Sequence, residues 1–302
     1  MILFAASLTL AQLAPEPSPY SPEIEAVLRR RDEKRRVEAM RQPPPGAQQQ
    51  QQGDDRESLA GVVPPAIAER LSACLAKANI KPEDGLADAQ AWAAADGGAY
   101  AAQCRGYALG QAGRWTEAAD AFEGAAGTAG LDAVAKARLW SQAGNAALVG
   151  GNPARAVRAL DTALGQPLPR TLSTGEIHLD RARARVATGD LKGARVDLDQ
   201  AIVLAQADPL TWLLSATLAR RMDDLPLARL HIEQAAQRAR NDAAIALEQG
   251  IIYALSGDRD DAARAAFKRA RETAAANSDI AKQAADYLAQ LGVKEPELET
   301  GR

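Results

Sequence analysis

One spacing of residues occurs five times along this 302-residue chain and constrains its fold more than any other feature. In each copy a small residue is followed after seven positions by glycine or aspartate, and then by alanine, a bulky apolar residue and a second alanine. The sets are Gly106, Gly113, Ala118, Phe122 and Ala125; Gly144, Gly151, Ala156, Leu160 and Ala163; Ala182, Gly189, Ala194, Leu198 and Ala201; Ala216, Asp223, Ala228, Ile232 and Ala235; and Gly250, Gly257, Ala263, Phe267 and Ala270, the last with one extra residue in its turn. Catalytic sites are rarely copied along one chain, so we interpret the copies as packing units.

Each interval has a physical reason if the unit is a pair of antiparallel helices. The small residue lets the second helix cross the first at close range, and the glycine or aspartate ends the first helix where a positive φ is needed. The last three residues, four and three positions apart, lie on one face of the second helix. Hydrophobic residues make up 47% of the chain but aromatic residues only 4%, so alanine and leucine dominate, which favours an all-α protein.

The pattern resembles the tetratricopeptide repeat (TPR) family over residues 98–273, in five consecutive units. The resemblance implies a right-handed α-solenoid of antiparallel helix pairs. The turn positions recur at intervals of 38, 38, 34 and 34 residues, and 34 is the usual period of this family. The family also favours a bulky residue four positions before the first small residue. Trp140 and Trp212 match this preference, whereas Ala102, His178 and Ala246 depart from it.

The remaining segments are assigned from composition. Residues 61–97 are predicted to form an N-terminal helical pair, and residues 274–302 a C-terminal capping helix (278–293) with a tail. Residues 15–60 are Pro/Gln-rich and charged, and predict a disordered tether.

Residues 1–14 are apolar, too short to span a bilayer, and resemble a signal peptide, although no Lys or Arg precedes the apolar run. We therefore expect a periplasmic or cell-envelope protein. The alternative is a cytoplasmic protein in which this run is an ordinary buried segment.

Charge and chemistry exclude several classes of function. A net charge of −3 argues against a nucleic-acid partner, and membrane contact is expected only through the N-terminal region, whose basic cluster at 29–36 is interrupted by acidic residues. No metal site, cofactor motif or catalytic residue set emerges, so we expect no catalysis. His178 occupies a packing position, and His231 is expected at the surface. Cys74 and Cys104 lie on helices expected to be neighbours and are a candidate disulfide, the alternative being two small buried residues.

The first helices of such a stack line a concave groove that usually binds peptides. Positions three before, one after and four after each small residue predict a partner-binding groove. The candidates are Gln103, Tyr107, Ser141, Asn145, Leu179, Arg183, Leu213, Thr217, Arg220, Leu247 and Ile251. We expect Arg183 and Arg220 to hold a partner carboxylate, with little effect on stability if they are removed. The function predicted is a non-catalytic scaffold of the bacterial cell envelope that binds another protein or peptide segment. The alternative is a structural self-association module whose stack ends pair.

Overall fold

The computed structural model describes residues 63–168, 170, 172–257 and 259–292, and within them the chain folds into thirteen α-helices and no strand. The expected signal peptide (1–14), the expected tether (15–60) and the C-terminal tail lie outside these residues. The helices are α1 (Pro65–Ile80), α2 (Pro82–Ala94), α3 (Gly98–Gln111), α4 (Trp115–Ala126), α5 (Ala133–Val149), α6 (Pro153–Leu164), α7 (Leu172–Ala187), α8 (Leu191–Leu204), α9 (Pro209–Arg221), α10 (Leu225–Arg238), α11 (Ala243–Leu255), α12 (Asp260–Thr273) and α13 (Asp279–Gly292).

The helices pack in chain order, each against the next, as antiparallel pairs. Helices α3 to α12 form five pairs, here called units 1 to 5, each with a first and a second helix. First helices of neighbouring units also touch, α5 against α7 and α9 against α11. This arrangement confirms the predicted all-α solenoid.

The turn between the helices of each unit has the backbone conformation that the spacing predicts. The φ angle is 75° at Gly113, 76° at Gly151, 82° at Gly189 and 73° at Gly257. In unit 4 the same place is taken by Asp223 at 63°. Since a Cβ disfavours positive φ, four of the five units use glycine, and the fifth uses a residue type that tolerates this region better than most.

The small residue of each first helix lies where the second helix crosses it. A Cβ built on Gly250 would lie 2.5 Å from the Phe267 ring, and one on Gly144 would lie 2.6 Å from Leu160 Cγ. The helices therefore approach too closely for a side chain at these positions. Units 3 and 4 have the fully buried alanines Ala182 and Ala216 there.

Aspartates near the turns begin helices. Asp190 Oδ1 accepts a hydrogen bond from the backbone N–H of Gly193 at 2.9 Å, and Asp224 Oδ1 accepts one from Leu227 at 3.1 Å. These N-caps satisfy backbone donors that the helix itself leaves unpaired. The acidic residues at these turns thus have a local structural role.

The two ends of the stack are covered by helices outside the five units. At the C-terminal end α13 buries Ile280 and Ala284, and its Tyr287 stacks on Phe267 with ring centres 4.9 Å apart. At the N-terminal end α1 and α2 pack against α3. No helix in the described part of the chain is long and apolar enough to span a bilayer.

Candidate functional site

The eleven residues predicted to line the groove, here called the groove positions, do not form one open surface. Five of them are buried, and the prediction that these five face a partner is wrong: Gln103, Leu179, Leu213, Thr217 and Leu247. The reason is clearest in α9, where every residue from 210 to 219 is buried because α8, α10 and α11 all pack on this helix. The other six groove positions are partly exposed: Tyr107, Ser141, Asn145, Arg183, Arg220 and Ile251.

Polar side chains at groove positions bridge the first helices of neighbouring units, and one bridges α3 to α1 of the N-terminal pair. Tyr107 Oη donates to Asn79 Oδ1 at 2.5 Å, which joins α3 to α1. Gln103 Nε2 donates to Gln142 Oε1 at 3.1 Å, which joins α3 to α5. Asn145 Nδ2 donates to Asp180 Oδ2 at 2.8 Å, which joins α5 to α7. These residues therefore hold successive units in register.

The two arginines expected to bind a partner carboxylate already have carboxylates within the chain. Arg183 Nη1 donates to Asp180 Oδ1 at 3.0 Å. Arg220 Nε and Nη2 donate to the two carboxylate oxygens of Glu248 at 2.7 and 3.3 Å, and the side chain of Glu248 is only 4% exposed. Because Arg220 neutralises a buried charge, its first role is structural, which corrects our expectation that it is free to bind a partner.

Two buried polar atoms of this surface have no hydrogen-bond partner within the described part of the chain, Asn145 Oδ1 and Arg183 Nε. Both side chains come from the position one after the small residue, in consecutive units. An unsatisfied buried donor or acceptor costs about 1–3 kcal/mol. One unused acceptor and one unused donor match the two polar groups of a peptide unit, N–H and C=O.

Sequence reasoning missed an exposed row next to the groove positions. Val149 and Leu255 are 48% and 55% exposed, four residues beyond Asn145 and Ile251 and therefore on the same face of their helices. The exposed Arg221 holds the same position in unit 4. The signal that could have found this row is its constant offset of five from each small residue. We call these three residues the edge row.

Asp197 of α8 has a buried carboxylate that packs against α7. It accepts hydrogen bonds from Arg181 at 2.5 and 2.9 Å and lies 3.0 Å from His178 Nδ1 and from Arg185 Nη1. Burial raises the pKa of Asp197, but the bonds from His178 and the two arginines outweigh it and keep the pKa below its ordinary value. The carboxylate is thus held ionised as a packing element between α7 and α8.

His231 is buried, which makes the expected surface position wrong. Its Nδ1 lies 2.7 Å from Ser215 Oγ, and its ring meets Trp212 edge to face at 5.3 Å. Burial, followed by the charge of Arg195, lowers the pKa of His231. No group of three or more His, Cys, Asp or Glu side chains suited to a metal ion occurs among the described residues.

Cys74 of α1 and Cys104 of α3 are fully buried, and the structure joins their sulfur atoms, with Cα atoms 6.2 Å apart. They pack with Ala89, Trp92 and Ala101 in a small core of their own. The N-terminal helical pair is therefore linked to unit 1 by both packing and a covalent bond in this structure.

Comparison with known proteins reveals the fold but no close sequence relative. No protein-family model matches the sequence, and no curated protein matches it. The C-terminal part of a TPR repeat-containing protein from Cytophaga hutchinsonii is similar in structure, with a TM-score of 0.54 and 15% identity over 78% of this chain and 91% of that one.

Two further solved structures show the same architecture. The APC/C hetero-tetramer Cut9–Hcn1 gives a TM-score of 0.56 and 14% identity over 73% of this chain and 42% of that one. YrrB, described as a TPR protein with an unusual peptide-binding site, gives 0.50 and 18% identity over 65% and 96%. The chain therefore has the α-solenoid fold of tetratricopeptide-repeat proteins.

Proposed function

We propose that this protein is a non-catalytic interaction scaffold that binds an extended segment of a partner protein along its six partly exposed groove positions and its edge row. The observation that carries the proposal is the edge row, where units 2, 4 and 5 expose an apolar, a basic and an apolar side chain at one repeat position, Val149, Arg221 and Leu255. Such a row suits a partner with two apolar anchors. The peptide-binding site named for the similar structure YrrB is consistent with this use of the fold.

The polar groove positions add the means to hold a peptide backbone. Asn145 Oδ1 is the unused acceptor and Arg183 Nε the unused donor. Asn145 lies in the same unit as the apolar anchor Val149, and Arg183 lies in the next unit toward Leu255. Both atoms are buried in the unbound chain, so pairing with a partner amide requires these side chains to rotate on binding. Ser141 and Ile251 complete the partly exposed surface.

The same proposal places the scaffold in the bacterial cell envelope, exported by the apolar N-terminal segment. Disulfides persist in oxidising compartments, so a bond between Cys74 and Cys104 would agree with export. Cell fractionation tests this part: mature chain in the periplasmic or envelope fraction supports it, and intact chain in the cytosol contradicts it.

Crosslinking in native cells followed by mass spectrometry tests the binding surface. We expect the partner recovered with the wild type to fall about tenfold for a Val149→Asp, Leu255→Asp double variant, since each change places a charge where an apolar anchor docks. The matched control is Val196→Asp with Leu230→Asp, two exposed apolar residues on the second helices α8 and α10.

Equal recovery for the two double variants would contradict the groove assignment. Recovery of a second copy of this chain as the crosslinked species would favour self-association instead.

A further inference from the structure

A cleft opens between units 4 and 5, away from the groove positions. It has a volume of about 580 Å³, and its walls come from α10, α11 and α12. The side chains at its rim are Glu233, Gln237, Arg240, Gln249 and Arg269. None of the residues that line it belongs to the groove positions or to the edge row.

A second cleft, of about 460 Å³, lies at the equivalent place between units 2 and 3. Its lining residues Asp161, Gly165 and Arg181 hold the repeat positions of Glu233, Gln237 and Gln249. The two clefts are therefore one structural feature that recurs in the stack. Both border a unit that lacks the tryptophan of the repeat pattern, since His178 and Ala246 stand where unit 4 has Trp212.

In unit 4 the repeat position that Ala246 holds in unit 5 carries the indole of Trp212. Its Nε1 donates to the backbone carbonyl of Gln206 at 2.8 Å, and Gln206 lies one repeat before Arg240, which lines the open cleft. The guanidinium carbon of Arg238 lies 4.7 Å from the centre of the indole ring. Unit 5 has the buried alanine Ala246 at this repeat position and so lacks the indole that unit 4 places against the Gln206 carbonyl.

The residues that line the cleft between units 4 and 5 include two arginines but one carboxylate, so positive charge is in excess there. Arg240 is exposed, and Arg269 donates to the neutral Gln249 Oε1 at 2.5 Å. Within the described residues neither arginine has a carboxylate at ion-pair distance, and the one acidic side chain of the lining, Glu233, accepts a bond from Tyr253 Oη at 3.3 Å. A guanidinium can stack on an aromatic face, and a second one can pair with a carboxylate.

We propose that the cleft between units 4 and 5 binds an aromatic side chain of a partner polypeptide that has an acidic residue beside it. The aromatic ring takes the place that Trp212 takes one unit earlier, with Arg240 or Arg269 stacked as Arg238 is on Trp212. The acidic neighbour pairs with the other arginine. This site is separate from the proposed groove, so its failure would leave the groove proposal unaffected.

Fluorine NMR on the full-length chain tests the proposal. The probe is the peptide acetyl-Gly-Glu-Trp-Glu-Gly-amide, labelled with 5-fluorotryptophan. We expect its resonance to shift and broaden with added protein, and unlabelled Glu-Trp-Glu peptide to compete while the Glu-Ala-Glu peptide does not. Ala246→Trp restores the indole of the repeat pattern beside the cleft and is expected to weaken binding by about tenfold or more, because that ring would compete with the partner's aromatic side chain.

Arg240→Glu is the second test variant, and it is expected to weaken binding by about tenfold because it reverses an exposed charge at the rim. Since Arg240 is exposed, this variant decides the question even where Ala246→Trp disturbs folding. Arg271→Glu, an exposed arginine of α12 that does not line the cleft, is the matched control and should change binding by less than about twofold.

Three results would overturn the proposal. The first is no binding of the probe to the wild type. The second is an equal loss of binding in Arg271→Glu, which would show general attraction between charges. The third is binding only after Tyr20→Ala, which would show that Tyr20, an aromatic residue of the N-terminal segment 15–60, occupies the cleft in place of a partner.

Discussion

At the scale of single residues, polar side chains at groove positions bond neighbouring helices of the stack, and several of them are also partly exposed to solvent. Arg220 illustrates the balance, because its bidentate contact with Glu248 crosses from α9 to α11 and compensates a buried carboxylate. Removing one member of such a pair leaves a charge without a partner, which costs more than replacing both with apolar residues.

We predict that Arg220→Met lowers the free energy of unfolding by about 2–3 kcal/mol, because Glu248 is then buried without its cation. The double variant Arg220→Met, Glu248→Leu should recover most of this loss. Urea unfolding of both proteins measures the difference, with Arg271→Met as an exposed arginine control. If Arg220→Met unfolds like the wild type, Arg220 is free to serve a partner after all.

His231 gives a pH prediction at the same scale. Burial first, and then Arg195, lowers its pKa from 6.5, so the folded state binds a proton less readily than the unfolded state. With respect to His231 the protein is therefore most stable above pH 6.5, where this side chain is neutral in both states. The unfolding free energy falls as the pH drops below 6.5 toward the folded-state pKa, because protonation then favours the unfolded chain. Urea unfolding at about pH 7.5 and about pH 5 should show a smaller decline for His231→Gln than for the wild type. Parallel declines would contradict the assignment.

At the scale of helices and turns, glycine has opposite consequences in two places. Gly189 has a φ of 82° in the turn of unit 3, whereas Gly124 is exposed within α4 with no atom near a built Cβ. We predict that Gly189→Ala destabilises the protein by about 1–2 kcal/mol through backbone strain. Gly124→Ala should stabilise it by about 0.5–1 kcal/mol through helix propensity. Thermal unfolding compares the pair, and shifts of both variants in the same direction would contradict the role assigned to the turn glycine.

The helices and turns could be predicted from the sequence because their signals are local. The interval of seven residues from the small residue of a unit to its turn, as from Gly144 to Gly151, reports one helix and its end. The burial of Leu213 and Thr217 could not be predicted this way, since it depends on how tightly α8, α10 and α11 close around α9. The partner of Asn145 lies 35 residues away, and no local spacing indicates that contact.

At the scale of the whole molecule, the stack is held by contacts between neighbours in sequence. Each unit touches the next, and the separate cores follow one another along the chain. Stability in such a solenoid is close to a sum over units and their interfaces, and the ends open more readily than the middle. The N-terminal end is the place where a covalent link has most to contribute, because its core around Trp92 is small.

The final prediction therefore concerns the bond between Cys74 and Cys104, which closes a loop with a sequence separation of 30. Loop-closure entropy for this length corresponds to about 3–4 kcal/mol. We predict that reduction of the native protein, or Cys74→Ser with Cys104→Ser, increases hydrogen exchange in α1 and α2 by about tenfold or more. Exchange in α9 to α12 should stay the same, because that region lies several units away. Two free thiols found by mass in untreated protein, or equal protection of α1 before and after reduction, would show that packing alone holds this end.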